Sequence, residues 1–372
     1  MLYSFPSLPA GYAEVVDAID DLRRRLHYFL QQQPRRWTGL LRRSTFARAI
    51  QASNSIEGYH VTVDDAIAAV EGEEPLDERS AAWLAVQGYR NALSYVLQLA
   101  TDPYFAHNVG TLRGLHYMML AHETVRRPGL WRPGAIYVRA EPDGTTVYEG
   151  PPAEHVPALM HDLVTALNAP EGLPVMVRAA MAHLNLVMIH PFSDGNGRMA
   201  RALQTLVLAR EGLLDPTFSS IEQYLGQNTQ AYYAVLAEVG QGTWSPANDP
   251  TPWVRFSLTA HYRQAETLLR RTNEQQRLWD LLEGHLKERR LNERLLMALS
   301  DAALGYRVRN ATYRHAADVT ETVASRDLSL LVDQGMLVAH GEKRGRHYRA
   351  SPWLMALRDA TRATKITTDP FA

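Results

Sequence analysis

Residues 190–201 read HPFSDGNGRMAR, and each residue type in that run has its own use around a phosphate chain. His190 stands where an apolar helical run stops, so its imidazole can project into a cleft. Its ordinary pKa, about 6.5, suits a general base near neutral pH. Asp194 supplies a hard carboxylate oxygen of the kind that holds magnesium together with substrate phosphates. Gly195, Asn196 and Gly197 permit positive φ and close backbone approach, which turns amide N–H groups toward an anion at the start of the next helix. The positive end of that helix adds to the attraction. Arg198 and Arg201, three residues apart on one helical face, offer forked donors to phosphate oxygens. Singly, Asp194 would serve as a helix cap and His190 as a core histidine. The set in this order points to a nucleotide polyphosphate.

Other templates fail. His122-Glu123 lacks the second histidine of a zinc-protease helix, and no GxxxxGK[ST] occurs. The chain has 372 residues, which predicts two or three domains. With 46% hydrophobic and 21% charged residues it has the composition of a soluble globular protein. Lys plus Arg, 39, nearly cancels Asp plus Glu, 40, so no global field argues for nucleic acid or for a basic partner. The absence of cysteine excludes disulfides, thiolate catalysis and cysteine metal sites. A reducing, cytoplasmic location fits. The N-terminus lacks the pattern of a signal peptide, and no apolar run approaches the roughly 20 residues of a membrane span.

The elements that must position this motif are mainly α-helical. In Val175 to His190 apolar residues crowd nearly every face, which predicts a central buried helix ended by Pro191. RMARALQTLVLAR restarts the helical period just after Gly197, so the motif is a tight loop between two helices. One hairpin interrupts the helices: residues 135–139 and 145–148 alternate around Pro142-Asp143-Gly144. GQGTWSPANDPTP, 240–252, reads as a linker or domain edge, followed by a long helical stretch to about Arg290.

HPFSDGNGRMAR matches the HPFx(D/E)GNGRxxR signature of the Fic family without a departure, and the chain resembles that family over most of residues 110–240. GTLRGLHYMML, PGLWRPGAIYVRA and AHLNLVMIHPF extend the likeness upstream of the motif. The resemblance implies an all-α catalytic core that transfers AMP from ATP and Mg2+ to a Ser, Thr or Tyr hydroxyl of a protein, self-modification included. His190 would deprotonate the hydroxyl and Asp194 would bind magnesium. Asn196 with the Gly195 and Gly197 backbone would hold the phosphates, Arg198 would neutralise them, and Phe192 would pack inward.

A second stretch, SNSIEG at 53–58, resembles the family's (S/T)xxxE(G/N) inhibitory motif. The resemblance makes Glu57 the partner of Arg201, blocking productive ATP binding, with Ser53 one helical turn away on the same face. It also makes the hairpin, 135–149, a flap that aligns a protein substrate by strand addition. A homodimer through the core and a reverse activity, in which Glu57 helps water remove AMP, are further implications.

The last hundred residues resemble a winged helix: a helix near 311–317, a turn at 318–320, a recognition helix at 321–333 and a wing to Tyr348. DNA is the corresponding partner, through 301–350. That span holds eight Lys or Arg against six Asp or Glu, and Arg326 shares its helix with Glu321, Asp327 and Asp333. The balance makes a protein-binding role equally compatible. The expected organisation is an N-terminal helical region to 109, a core at 110–240, a linker and long helix at 241–290, a winged helix at 291–350 and a tail at 351–372. The reading adopted is an autoinhibited protein adenylyltransferase without membrane association. The alternatives are a nucleotide-sensing DNA-binding regulator and a transferase with a different donor.

Overall fold

The all-round apolar stretch at 175–189 folds as expected, into a helix whose residues from Met176 to Ile189 are nearly all buried. The computed structural model describes residues 1–33, 35–75, 80–139, 144–169, 172–210, 218, 220–365 and 368–372. In chain order its first helices are α1 (Tyr12–Gln31), α2 (Arg35–Ile56), α3 (Val63–Glu71), α4 (Ala81–Thr101) and α5 (Val109–Leu120). After the hairpin come α6 (Val156–Asn168), α7 (Val175–Ile189) and α8 (Asn196–Ala209). Shorter helices at Glu222–Gln227 and Thr229–Gly240 follow, then one of 38 residues, Thr251–Glu288.

The core around the motif is α7 packed on α8, with α4 laid across α5 and α8 and α6 against α7. The N-terminal segment is tied directly to α7. The Tyr3 amide donates to Asn185 Oδ1 at 2.9 Å, and Asn185 Nδ2 donates to the Tyr3 carbonyl at 3.0 Å.

Strands β1 (Tyr137–Arg139) and β2 (Thr146–Glu149) form the expected antiparallel hairpin, with Val138 opposite Tyr148. Residues 140–143 of its turn lie outside the described residues. Part of 240–252, read above as a linker or domain edge, lies against this hairpin: Glu149 N–H donates to the Gly242 carbonyl at 2.9 Å, and Trp244 N–H to the Glu149 carbonyl at 3.1 Å. The long helix then joins two cores. Trp253, Val254 and Leu258 pack with α7 and α8, while Leu278, Leu282 and Leu286 pack with the C-terminal helices.

The C-terminal part contains helices at Leu296–Ala303, Asn310–Ala317 and Glu321–Asp333, then a hairpin, β3 (Leu337–His340) with β4 (His347–Ala350). The Glu321–Asp333 helix shows solvent Glu321, Thr322, Ser325, Arg326, Ser329 and Asp333. Asp327 is not on that face. It is buried, accepting from Arg294 at 2.7 and 2.8 Å and from the Tyr313 hydroxyl at 2.8 Å. This part clasps α2 and α3: Arg43 pairs with both Glu71 and Asp301, Arg48 donates to Tyr306, and Arg307 pairs with Asp64 at 3.1 Å. Among the described residues no helix is long and apolar enough to cross a membrane.

Candidate active site

The motif loop is built by turning its carbonyls outward. The His190 carbonyl accepts from Arg132 Nε at 2.8 Å and the Pro191 carbonyl from the Arg132 amide at 3.0 Å. The Phe192 carbonyl accepts from Asn196 Nδ2, and the Asp194 carbonyl from His116 Nε2, both at 2.9 Å. With these carbonyls held from behind, α8 begins at Asn196 with no side-chain cap. Its first-turn amides, at Asn196, Gly197 and Arg198, are the ones a helix cannot satisfy internally. Gly195 makes this possible: its φ is 72°, and a Cβ there would also meet Leu120 Cδ1 at 2.6 Å.

Phe192 is the loop's apolar anchor. Fully buried, it stacks on the His116 ring at 3.6 Å with a 3° interplanar angle and packs on Trp131 at 5.1 Å. His116 Nδ1 accepts from the Gly129 amide at 2.8 Å, so Nε2 carries the proton given to the Asp194 carbonyl. Burial brings its pKa down to about 4, which keeps that tautomer neutral.

His190 closes α7 with a left-handed conformation, φ 51°, which aims its ring off the helix axis. Nδ1 lies 3.0 Å from the Val187 carbonyl, so Nδ1 holds the proton and Nε2 is left as the free base. Burial lowers its pKa below the ordinary 6.5, with the Val187 carbonyl opposing. Asp194 Oδ1 accepts from the Gly195 amide at 2.6 Å, and Oδ2 faces Arg126 at 3.5 Å. Asn196 is differently employed from the expectation. Its buried amide grips the backbone of Phe192 at both ends, 2.9 Å each way, so it braces the loop and offers its backbone N–H to the site.

The two arginines are both buried but not equivalent. Arg198 is fully buried, and none of its three guanidinium nitrogens has a hydrogen-bond partner among the described residues. Its cover is the ring of Tyr59, 5.0 Å away, whose hydroxyl donates to Glu123 Oε1 at 2.8 Å. Arg201 is engaged with the end of α2 through two of its three nitrogens, while its buried Nη1 has no hydrogen-bond partner among the described residues. Nε donates to Ser53 Oγ at 2.8 Å, and Nη2 donates to the Ser53 carbonyl at 2.9 Å and to Glu57 Oε1 at 2.7 Å.

Arg201 thus satisfies an orphan carbonyl at the negative end of α2 while pairing with the acid just beyond it. Burial, the largest single influence, would lower its pKa, yet Glu57 together with Tyr232 and Tyr89 holds it above the ordinary arginine value. The α2 terminus therefore meets α8 negative end to positive end. The Glu57 carboxylate lies against Gly197, where any Cβ would collide with Oε1. That is the position an anion would take at a helix N-terminus.

The sequence motifs thus come together as a single site, Ser53 and Glu57 included. The motif reasoning missed His116, Arg132, Tyr59 and Glu123. His116 was visible only as a polar residue in the apolar run GTLRGLHYMML, Glu123 only in the rejected zinc-protease template, and Arg132 as one basic residue in PGLWRPG.

The model of the Fic/DOC family matches residues 107–208, the span of α5 to α8 that holds the motif loop and His190. Residues 107–208 are therefore a Fic domain. The chain is 27% identical over 261 residues to the "Protein adenylyltransferase Fic" of Nematostella vectensis, covering 68% of this chain and 54% of that protein. It is 39% identical over 106 residues to "Protein adenylyltransferase fic-1" of Caenorhabditis elegans, covering 28% of this chain and 18% of that one. It spans about half or less of the length of these curated relatives. The fold resembles a Fic family protein from Desulfovibrio desulfuricans G20, with a TM-score of 0.59 at 22% identity over 94% of this chain and 99% of the other. It also resembles a Fic domain containing signaling protein from Bacteroides thetaiotaomicron, with a TM-score of 0.57 at 21% identity, over 69% of this chain and 96% of that one.

Proposed function

We propose that the protein is an adenylyltransferase that moves AMP from ATP to a hydroxyl of a protein, and that Glu57 holds it inactive. Arg198 carries the reading. A fully buried guanidinium without a hydrogen-bond partner, beside the free amides of a helix N-terminus, is a costly arrangement unless an anion completes it. The chain of phosphates in ATP supplies one, and the names of the curated relatives point to the same donor.

In this reading Nε2 of His190 takes the proton of the target hydroxyl. The oxygen attacks the α-phosphorus, the bond to the β-phosphate bridge breaks, and pyrophosphate leaves with the bridging electrons. Arg198 and the amides at 196–198 balance the charge that builds on the phosphates. Asp194 is the residue that would hold Mg2+. Among the described residues its Oδ2 pairs only with the half-exposed Arg126, a hard oxygen that fits this ion, and the ion would add to the charge balance. The hairpin 137–149 is the surface on which a target segment would add as a strand.

Glu57 prevents this by competition. Arg201 cannot give the same nitrogen to a carboxylate and to a terminal phosphate, and the carboxylate already lies in the cradle at Gly197. The test is incubation of the Glu57→Gly protein with ATP labelled at the α- or at the γ-phosphate. Covalent label from the α-position alone supports adenylyl transfer; label from the γ-position, or none from either, rejects it.

A further inference from the structure

The strap between α5 and the hairpin contains an arginine that no catalytic step uses. Arg132 is 4% exposed, and each of its guanidinium nitrogens donates to a backbone carbonyl. Nε reaches His190 at 2.8 Å, Nη1 reaches Gly134 at 2.6 Å just before β1, and Nη2 reaches Pro151 just after β2. Its own amide holds the Pro191 carbonyl at 3.0 Å. A guanidinium is rigid and planar, so three acceptors held by one fork are fixed relative to each other. Both roots of the hairpin and the backbone of His190 are thereby locked in one geometry.

Salt-bridge chemistry does not explain the residue, because none of these partners is a carboxylate. A cation buried among neutral carbonyls forfeits solvation without a counter-ion. Burial accordingly lowers its pKa, with Tyr148 and Glu154 the nearby groups that oppose the shift. Tyr148, on β2, adds a second tie to the same helix end, its hydroxyl donating to the Met188 carbonyl at 2.8 Å.

We propose that Arg132 is a positioning residue that couples the hairpin to the base, so that a target segment seated on β1 is delivered at a fixed distance from His190 Nε2. The proposal rests on the reading of His190 as the base and of the hairpin as the docking strand. It assigns Arg132 no contact with substrate.

The experiment compares Arg132→Lys and Arg132→Ala with their parent, Glu57→Gly, measuring self-transfer of α-labelled ATP and ATP binding separately. A misplacement of about 1 Å at a reacting centre costs on the order of 100-fold. Transfer is expected to fall by about that factor in both variants while ATP affinity stays at the parent value. Guanidinium ion at millimolar concentration should restore part of the activity of Arg132→Ala, and ammonium at equal ionic strength should not. A lysine variant that transfers at the parent rate overturns the coupling. So does a loss that guanidinium leaves untouched while ATP affinity falls in parallel, since that is a plain packing defect. If the parent itself does not transfer, the functional reading fails, and hydrogen exchange still decides the coupling. Arg132→Lys should then raise exchange at Gly150 and at His190 together, leaving α8 protected; unchanged exchange at His190 refutes it.

Discussion

Removing the Glu57 carboxylate should weaken the fold and strengthen nucleotide binding by comparable amounts. The acid lies 2.7 Å from Arg201 Nη2, with side-chain exposures of 22% and 1%. Charges about 4 Å apart attract by about 4 kcal/mol at an effective dielectric of 20. The partial exposure of Glu57 and the cost of desolvating it reduce this to about 1.5–3 kcal/mol, the range of a charge-assisted hydrogen bond. Glu57→Gly should therefore lose roughly that much stability without nucleotide, since Arg201 keeps only the Ser53 hydroxyl and carbonyl. ATP no longer has to displace the carboxylate, so its affinity should rise by about 10- to 150-fold. Thermal unfolding of wild type, Glu57→Gln and Glu57→Gly with and without saturating ATP measures both effects. The glycine variant should melt lowest alone and gain most from ATP, with glutamine between. Equal melting temperatures and equal ATP shifts in all three proteins would refute competition for Arg201.

Tyr59→Ala uncovers Arg198, and loss of a cation–π contact of about 0.5–2 kcal/mol should tighten ATP binding by about 2- to 30-fold; weaker binding in calorimetry would mean that the ring supports the nucleotide. Because the pKa of His190 lies below 6.5, the acidic limb of the transfer rate should fall below pH 6.5. A limb above that value contradicts the lowering by burial. Burial lowers His116 and His107 to about 4 and His183 to about 3. The unfolded chain therefore takes up protons near pH 6.5 while the folded one does not until about pH 4. Stability is full above pH 6.5 and is lost as pH falls toward 4. Denaturation midpoints that stay flat across that window would count against it.

The motif and its helices were legible because their signals are local. The apolar crowding of 175–189, the Pro191 stop and the glycines of 195–197 fix a helix, a loop and a helix start without reference to the rest of the chain. The partnership of Glu57 with Arg201 spans 144 positions and was accessible only through the family's motif pattern. His116, Tyr59 and Arg132 were hidden for a related reason. Each acts on a group brought near by tertiary packing, whether a backbone carbonyl, a ring or a guanidinium, which leaves no spacing to read. The packing of the segment 240–252, read as a linker or domain edge, could not be read, because Gly, Pro, Ser and Asn mark turns whether or not the turn is packed. Here its backbone completes one side of β2. Asp327 misled: an acid on an amphipathic helix reads as surface charge, but Arg294 and Tyr313 satisfy it inside.

The central claim is that an AMP group passes to a hydroxyl with His190 as base once Glu57 is out of the cradle. Intact-mass measurement of the chain after incubation with ATP and Mg2+ tests it most directly, for wild type, Glu57→Gly and Glu57→Gly/His190→Ala. The mechanism predicts a mass gain of one adenylyl group on Glu57→Gly, little on wild type and none on the double variant. An adduct that persists without His190, or the absence of any adduct on Glu57→Gly, would contradict it.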